Sequence, residues 1–140
     1  MRDISIEEGM TEEEIDYIKN KLFQFNISTA PPDQRPISKD INLILKDEDK
    51  IYGGLIGKIY RGCLLIETLW LSEDVRGFGY GEKLMMEAEK IAIAEECRFI
   101  HLDTFSFQAP EFYKKNGYKG FGVLEGYPDG TKRYYLKKDL

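Results

Sequence analysis

Residues Leu69–Lys83 have the sequence LWLSEDVRGFGYGEK and set the order of elements in the middle of the chain. An apolar run typical of a strand ends at Leu71, and a short polar turn follows it. The turn leads to Arg76 and to three glycines at alternate positions, Gly77, Gly79 and Gly81. From Leu84 onward, apolar residues recur at helical spacing. The segment therefore predicts a strand, a glycine-rich loop and a helix in succession.

A glycine-rich loop that leads into a helix is suited to binding a phosphate group. The first N–H groups of a helix have no partner within it and carry a partial positive charge. Glycine allows the backbone to approach a ligand closely, and the guanidinium of Arg76 matches phosphate oxygens. The spacing is not the dinucleotide fingerprint G-x-G-x-x-G, and because Glu82 follows Gly81 it is not a Walker loop. The alternative interpretation is a glycine-rich turn ahead of an ordinary core helix.

Two segments together resemble the GCN5-related N-acetyltransferase (GNAT) family. The pyrophosphate loop of that family has Arg or Gln, two residues, Gly, one residue, and Gly or Ala, a spacing matched here by Arg76, Gly79 and Gly81. Phe112–Tyr118, with the sequence FYKKNGY, is similar to the family segment Phe-Tyr-x-x-x-Gly-Phe. The resemblance is strongest over Ile51–Tyr118 and implies that the loop holds the pyrophosphate of acetyl-CoA.

The remaining patterns predict one α/β domain over residues 1–140. A capping box at Thr11 and Glu14 predicts a helix over Glu12–Phe25. Two further helices are predicted at Gly81–Glu96 and Ala109–Asn116. The predicted strands are Arg2–Glu7, Ile41–Lys46, a bulged Ile51–Tyr60, Cys63–Leu71, Arg98–Thr104, Tyr118–Glu125 and Arg133–Lys138.

The order of these elements predicts a single mixed, mostly antiparallel sheet. Short turns join the strands between Ile41 and Leu71, and they indicate an antiparallel meander. Arg98–Thr104 follows a crossover helix, so it is expected to lie parallel to the strand that ends at Leu71. The sheet would have this central parallel pair and flanking helices, which the resemblance identifies as the acyl-CoA N-acyltransferase fold.

Composition favours a globular protein without a membrane or nucleic-acid partner. The chain has 140 residues, of which 42% are hydrophobic and 32% charged. No apolar run approaches the ~20 residues that a membrane span needs, and the N-terminal residues lack a signal-peptide pattern. We therefore expect a cytoplasmic location. The net charge of −5 argues against nucleic acid, and Cys63, Cys97 and the single histidine form no metal-binding or disulfide pattern.

The resemblance implies two catalytic residues. An amine with a pKa of about 10.4 must lose a proton before it attacks a thioester, and a carboxylate can accept that proton. Glu67, in the apolar run LLIETLW, matches a Glu that often has this role in related enzymes. The alternative is a carboxylate on a solvated edge or paired with a cation. Tyr113 matches the general acid that protonates the departing thiolate, and its alternative is a core aromatic residue.

The resemblance also implies a set of cofactor contacts. The parallel strands around Leu69–Leu71 and Arg98–Thr104 would separate from each other. The backbone of Leu69 and Leu71 would then bind the pantetheine arm of acetyl-CoA. The loop contacts would be Arg76, Gly77, Phe78, Gly79, Tyr80 and Gly81. Ser106 stands where the family often has an Asn that holds the same arm. No metal is implied.

The sequence leaves the acceptor open. We expect transfer of an acetyl group from acetyl-CoA, as co-substrate, to the primary amine of a small molecule, with a homodimer implied by the resemblance alone. The alternatives are a non-catalytic acyl-CoA sensor, a protein or peptide N-acetyltransferase, and a structural domain. The residues of Ala30–Pro36 predict a connecting loop. The resemblance implies instead that this segment forms a wall of the acceptor site. His101 is interpreted as structural, Trp70 as core or dimer surface, and Asp74 and Asp103 are not placed.

Overall fold

The computed structural model describes residues 2–31 and 38–140, in two compact units, residues 1–36 and 37–140. The first unit contains helix α1, Glu12–Thr29. The predicted capping box is confirmed: the Glu14 N–H donates to the Thr11 hydroxyl at 3.2 Å, and the Thr11 N–H donates to the Glu14 carboxylate at 2.9 Å. The prediction of one domain over residues 1–140 stays a prediction.

Two predictions for the first unit have different outcomes. Arg2–Glu7 has no regular secondary structure, so the prediction of a strand there was wrong. The alternation of Ile4 and Ile6 has the period of a strand, but a strand also needs a pairing partner, which periodicity does not provide. The predicted acceptor-site wall at Ala30–Pro36 falls mainly on residues 32–37, which lie outside the described residues.

The second unit is built on one six-stranded sheet. Its strands are β1 (Lys39–Asp47), β2 (Lys50–Tyr60), β3 (Cys63–Leu71), β4 (Phe99–Phe105), β5 (Lys119–Leu124) and β6 (Arg133–Asp139). Their order across the sheet is β1-β2-β3-β4-β6-β5. Every neighbouring pair is antiparallel except β3 and β4, which are parallel. The predicted mixed sheet with a central parallel pair is confirmed.

Two helices accompany this sheet. Helix α2 spans Tyr80–Ala94 and connects β3 to β4, and the short helix α3 spans Pro110–Lys115 and precedes β5. Both begin and end within two residues of the predicted bounds. The α2 residues Leu84, Met85, Ala88 and Ala92 are buried in one cluster with strand residues of the sheet. Burial of each large apolar side chain contributes about 1.5–3 kcal/mol, so α2 and the tip of the loop before it are held firmly on the sheet.

Over residues 2–31 and 38–140, no helix combines the length and the apolar character needed to cross a bilayer.

Candidate active site

The parallel strands β3 and β4 separate part of the way along their length. They are paired only where Cys63–Leu65 lies beside Phe99–His101. Beyond this point β3 continues to Leu71 and β4 continues to Phe105 without further pairing between them. Backbone groups on the facing edges are therefore left without strand partners. The sequence resemblance implied this opening, and the structure contains it.

A β-bulge lies at the start of the opening. In the pairing of β2 with β3, Ile56 is opposite Thr68 while the next residue, Gly57, is opposite Ile66. Glu67 is thus the extra residue on β3. A bulge bends its strand and redirects a side chain, and here the Glu67 carboxylate is exposed and lines the opening.

The opening forms a cavity of about 800 Å³. One wall consists of β3 residues 66–71 with Arg76 and Gly81, and the other consists of residues 102–104 and 107–109 with Phe112 and Tyr113. The volume is in the range of small-molecule sites in proteins, and the lining is apolar with a few polar groups, as is usual for such sites.

The glycine loop provides donors at one end of this cavity. The first main-chain hydrogen bond into α2 runs from the Lys83 N–H to the Gly79 carbonyl at 3.1 Å. The N–H groups at positions 80–82 thus have no acceptor within the helix. Gly79 has φ +84° and Gly77 φ +85°, a left-handed backbone that favours glycine. Arg76 donates from Nε to the Leu71 carbonyl at 3.1 Å, which holds its guanidinium beside the loop.

Tyr113 lies on α3 at the opposite wall. Its ring meets Phe112 edge-on at 5.2 Å and Tyr118 at 6.2 Å. Burial raises the pKa of the Tyr113 phenol above its usual value. Tyr113 is one of the lining residues, and its hydroxyl, protonated at neutral pH, makes no hydrogen bond to another described residue.

A second carboxylate, Asp103, lines the cavity from β4, but it is already paired. Arg133 donates from Nε to Asp103 Oδ1 at 2.8 Å, and its Nη2 lies 2.8 Å from the same oxygen. The Arg133 guanidinium in turn lies over the rings of Phe105 and Tyr135. Glu67, by contrast, forms no ion pair with any residue in the described ranges. Glu67 is therefore the carboxylate of this cavity that has no ion-pair partner among the described residues.

Some predicted site residues are not brought to the cavity. The Ser106 hydroxyl accepts a hydrogen bond from the Lys132 N–H at 3.0 Å, and Ser106 is absent from the lining. The lining includes Arg76 and Gly81. It does not include the loop residues Gly77, Phe78 and Gly79, or Tyr80 at the start of α2. His101 packs edge-on against Phe99 and is not in the lining.

Other lining residues carried no motif that could reveal them. Trp70 and Phe107 are exposed aromatic residues of the cavity, and Gln108 lines it between β4 and α3. For Trp70 the alternation of β3 was a usable signal: Leu69 and Leu71 pack against the core, so the residue between them must face the other side of the sheet. Phe107 and Gln108 lie in a turn, where periodicity gives no direction.

Known proteins with similar sequences and structures are acetyltransferases. The model of the Acetyltransferase (GNAT) family matches residues 9–118. A blasticidin-S acetyltransferase of Streptomyces morookaense is 31% identical over 113 residues, which cover 80% of this chain and 83% of that protein. The crystal structure of an acetyltransferase from Bacillus cereus ATCC 14579 is 44% identical, with a TM-score of 0.89 over 97% of this chain and 98% of the other.

A further structure resembles the fold alone. It is a proposed streptothricin acetyltransferase from Bacillus anthracis str. Ames in complex with acetyl coenzyme A. It is 22% identical, with a TM-score of 0.65 over 72% of this chain and 62% of that one.

The fold and the comparisons define the class: the protein is an acetyl-CoA-dependent N-acetyltransferase. The chain belongs to the GNAT acetyltransferase family, as the loop and the segment Phe112–Tyr118 predicted. The sheet, the crossover helix and the opened parallel pair are what the family assignment leads one to expect.

Proposed function

We propose that this enzyme transfers the acetyl group of acetyl-CoA to the primary amine of a small molecule by direct attack in a ternary complex. The observation that carries the proposal is the cavity between β3 and β4. It brings the unpaired carboxylate of Glu67 and the phenol of Tyr113 into one lining, next to Arg76 and the start of α2.

Acetyl-CoA would occupy the opening from the α2 side. The pyrophosphate would accept hydrogen bonds from the N–H groups at the start of α2 and a charged contact from Arg76. The pantetheine arm would lie along β3, where the backbone of Leu69 and Leu71 faces the gap left by the missing β3–β4 pairs. Each contact fixes the thioester near the centre of the sheet.

The chemistry then needs one base and one acid. Glu67 accepts a proton from the ammonium form of the acceptor, directly or through a water molecule, and the neutral nitrogen attacks the thioester carbonyl carbon. The tetrahedral intermediate collapses as the C–S bond breaks, the attacking nitrogen loses its second proton to solvent, and the Tyr113 phenolate left after protonation of the thiolate regains a proton from solvent. The thiolate, whose pKa in the free state is about 8.5, takes a proton from the Tyr113 hydroxyl. Because burial raises the pKa of Tyr113, that hydroxyl is fully protonated at neutral pH.

The acceptor is proposed to be a small cationic amine. The exposed rings of Trp70 and Phe107 offer flat apolar walls, and the Glu67 charge attracts an ammonium group. The relative from Streptomyces morookaense is named for blasticidin S, so blasticidin S is a rational first acceptor to test. A homodimer and a cytoplasmic location belong to the same proposal, and light scattering after gel filtration tests the dimer.

A thiol-release assay tests the function. Acetyl-CoA is supplied with a panel of amines that includes blasticidin S, polyamines, amino acids and a peptide with a free N-terminus. Release with a small amine supports the proposal, and release with the peptide alone contradicts it. Binding of acetyl-CoA without release from any amine would instead indicate an acyl-CoA sensor.

Two variants test the assigned roles with the accepted amine. Glu67→Gln and Tyr113→Phe should each lower kcat by about 10²-fold or more, the lower end of a general acid–base contribution. The affinity for CoA, measured by calorimetry, should be unchanged in both. Unchanged turnover across the pH range in either variant would remove that residue from the mechanism.

A further inference from the structure

Gln108 lies at the turn between β4 and α3 and is tied to the end of β4 by three hydrogen bonds. The Phe105 N–H donates to Gln108 Oε1 at 2.8 Å, and the Thr104 hydroxyl donates to the same oxygen at 3.2 Å. The Gln108 N–H donates back to the Phe105 carbonyl at 2.9 Å. Although Gln108 is exposed, these bonds hold its side-chain oxygen in one position.

These bonds also decide which end of the amide faces outward. A backbone N–H can only donate, so the atom that meets the Phe105 N–H must be the amide oxygen. The NH₂ group therefore points away from β4. Within the described part of the chain it has no hydrogen-bond acceptor, and a neutral group with two donors is left available beside the cavity.

Gln108 is one of the residues that line the cavity next to the expected path of the pantetheine arm. Gln108 lines it together with Ala109 and Phe112, opposite Leu69 and Leu71 of β3. On the proposed function, the pantetheine arm runs between these two walls. The arm carries two amide carbonyls besides the thioester, and a neutral N–H donor is a suitable partner for a neutral carbonyl oxygen.

We propose that the Gln108 side-chain amide donates a hydrogen bond to a carbonyl oxygen of the pantetheine arm of acetyl-CoA. This inference rests on the proposed function. It assigns to Gln108 the contact that sequence resemblance placed at Ser106. The Ser106 hydroxyl is instead used at the other side of the turn, where it accepts from the Lys132 N–H while the Ser106 N–H donates to the Lys132 carbonyl at 2.8 Å.

Two substitutions separate the donors from the rest of the side chain. Gln108→Glu keeps an oxygen for the Phe105 N–H, loses both donors and adds a charge. Gln108→Met loses the donors and the oxygen without adding a charge. The loss of the N–H donors is the one change that the two variants share. Glu111→Gln is the matched control, because Glu111 is an exposed α3 residue outside the lining and is paired with Lys114.

Calorimetry with CoA and the acetyl-CoA dependence of turnover provide the readouts. In both Gln108 variants the Kd for CoA and the KM for acetyl-CoA should rise about fivefold to tenfold, the effect of one neutral hydrogen bond. The KM for the amine should not change. Only Gln108→Met should lower the melting temperature, because only it removes the acceptor of the Phe105 N–H.

Four results bear on the proposal. Wild-type CoA affinity in either Gln108 variant overturns it, as does a loss of affinity in Ser106→Ala with both Gln108 variants unaffected. Failure of the wild-type protein to bind CoA would instead refute the proposed function itself. A rise in Kd in both variants, with Glu111→Gln unchanged, supports the contact.

Discussion

Substitution of Gly79 by alanine tests the phosphate-binding loop with little steric disturbance. A Cβ built on Gly79 meets no atom within 4 Å, so the cost must come from the backbone. Gly79 has φ +84° and ψ 9° and lies at the N-cap of α2. An L-residue in this left-handed region costs about 1–2 kcal/mol, and reduced entropy of the unfolded alanine chain offsets about 0.4–1 kcal/mol of that.

The expected net loss is therefore about 1 kcal/mol, or roughly 3–5 °C in melting temperature for a chain of this size. If alanine relaxes to a negative φ, the N–H groups at the start of α2 turn away from the pyrophosphate. We then expect the Kd for CoA to rise at least fivefold. Differential scanning calorimetry and titration calorimetry measure the two effects.

Gly120→Ala provides the control for this prediction. Gly120 also has open space at its Cβ position, but its φ is not in the left-handed region. Alanine there should leave the melting temperature unchanged or slightly higher. If Gly79→Ala behaves in the same way and binds CoA with wild-type affinity, the left-handed backbone is not needed, and the argument for the loop as a phosphate site fails.

Three further predictions concern stability and pH. Leu64 is fully buried, so Leu64→Ala should cost about 2–5 kcal/mol in urea unfolding. Lys138 bonds to Glu89 at 2.9 Å in a partly buried pair, so Lys138→Met should cost about 1–3 kcal/mol in the same assay, because it leaves the Glu89 carboxylate with only the Tyr118 hydroxyl as a partner. Burial lowers the pKa of His101 in the folded state. Because the folded state disfavours the charged form of His101, the free energy of unfolding falls as the pH drops through and below the usual pKa of about 6.5. His101→Asn should therefore show a smaller drop in melting temperature between pH 7.5 and 5.5 than the wild type.

Each of these three predictions has a contrary outcome. A loss below 1 kcal/mol for Leu64→Ala would mean that the core around β3 is not packed as described. Equal stability of Lys138→Met and wild type would mean that the ion pair is solvent-screened. An unchanged pH dependence in His101→Asn would mean that the charge of Asp103 cancels the effect of burial on the pKa of His101.

The sequence predicted the elements well where local signals coincide. The strand Cys63–Leu71 was predicted with its observed bounds because a tight turn precedes it and a polar turn follows it. The strands β5 and β6 were also predicted, with each end within one residue of its observed position. The position of β6 between β4 and β5 was not, because the pairing of Leu102 with Leu136 joins residues far apart in the chain. No local pattern carries that information.

The same division applies to the site. The loop at Arg76 and the segment around Tyr113 could be found because each has a compact motif. The pairing of Asp103 with Arg133 could not, since it depends on the β4–β6 register. Gln108 escaped detection because its orientation depends on one backbone N–H at the end of β4. Sequence motifs indicate the candidate catalytic and binding residues, whereas the residues that orient their side chains are brought to them only by the tertiary structure.

The opening between β3 and β4 follows from pairing on the two outer sides. Strand β3 is held to β2 as far as Leu71, opposite Gly53, and β4 is held to β6 as far as Phe105, opposite Arg133. Both strands are held by their outer partners along the gap, so we expect the gap to be present without a ligand. We therefore expect N–H groups that point into the gap beyond Leu65 to exchange with solvent quickly in the free protein and slowly with CoA bound. The outer pairs should be protected in both states. Slow exchange of the inner groups without CoA would show that the strands close on each other, and the proposed site would then have to form by rearrangement.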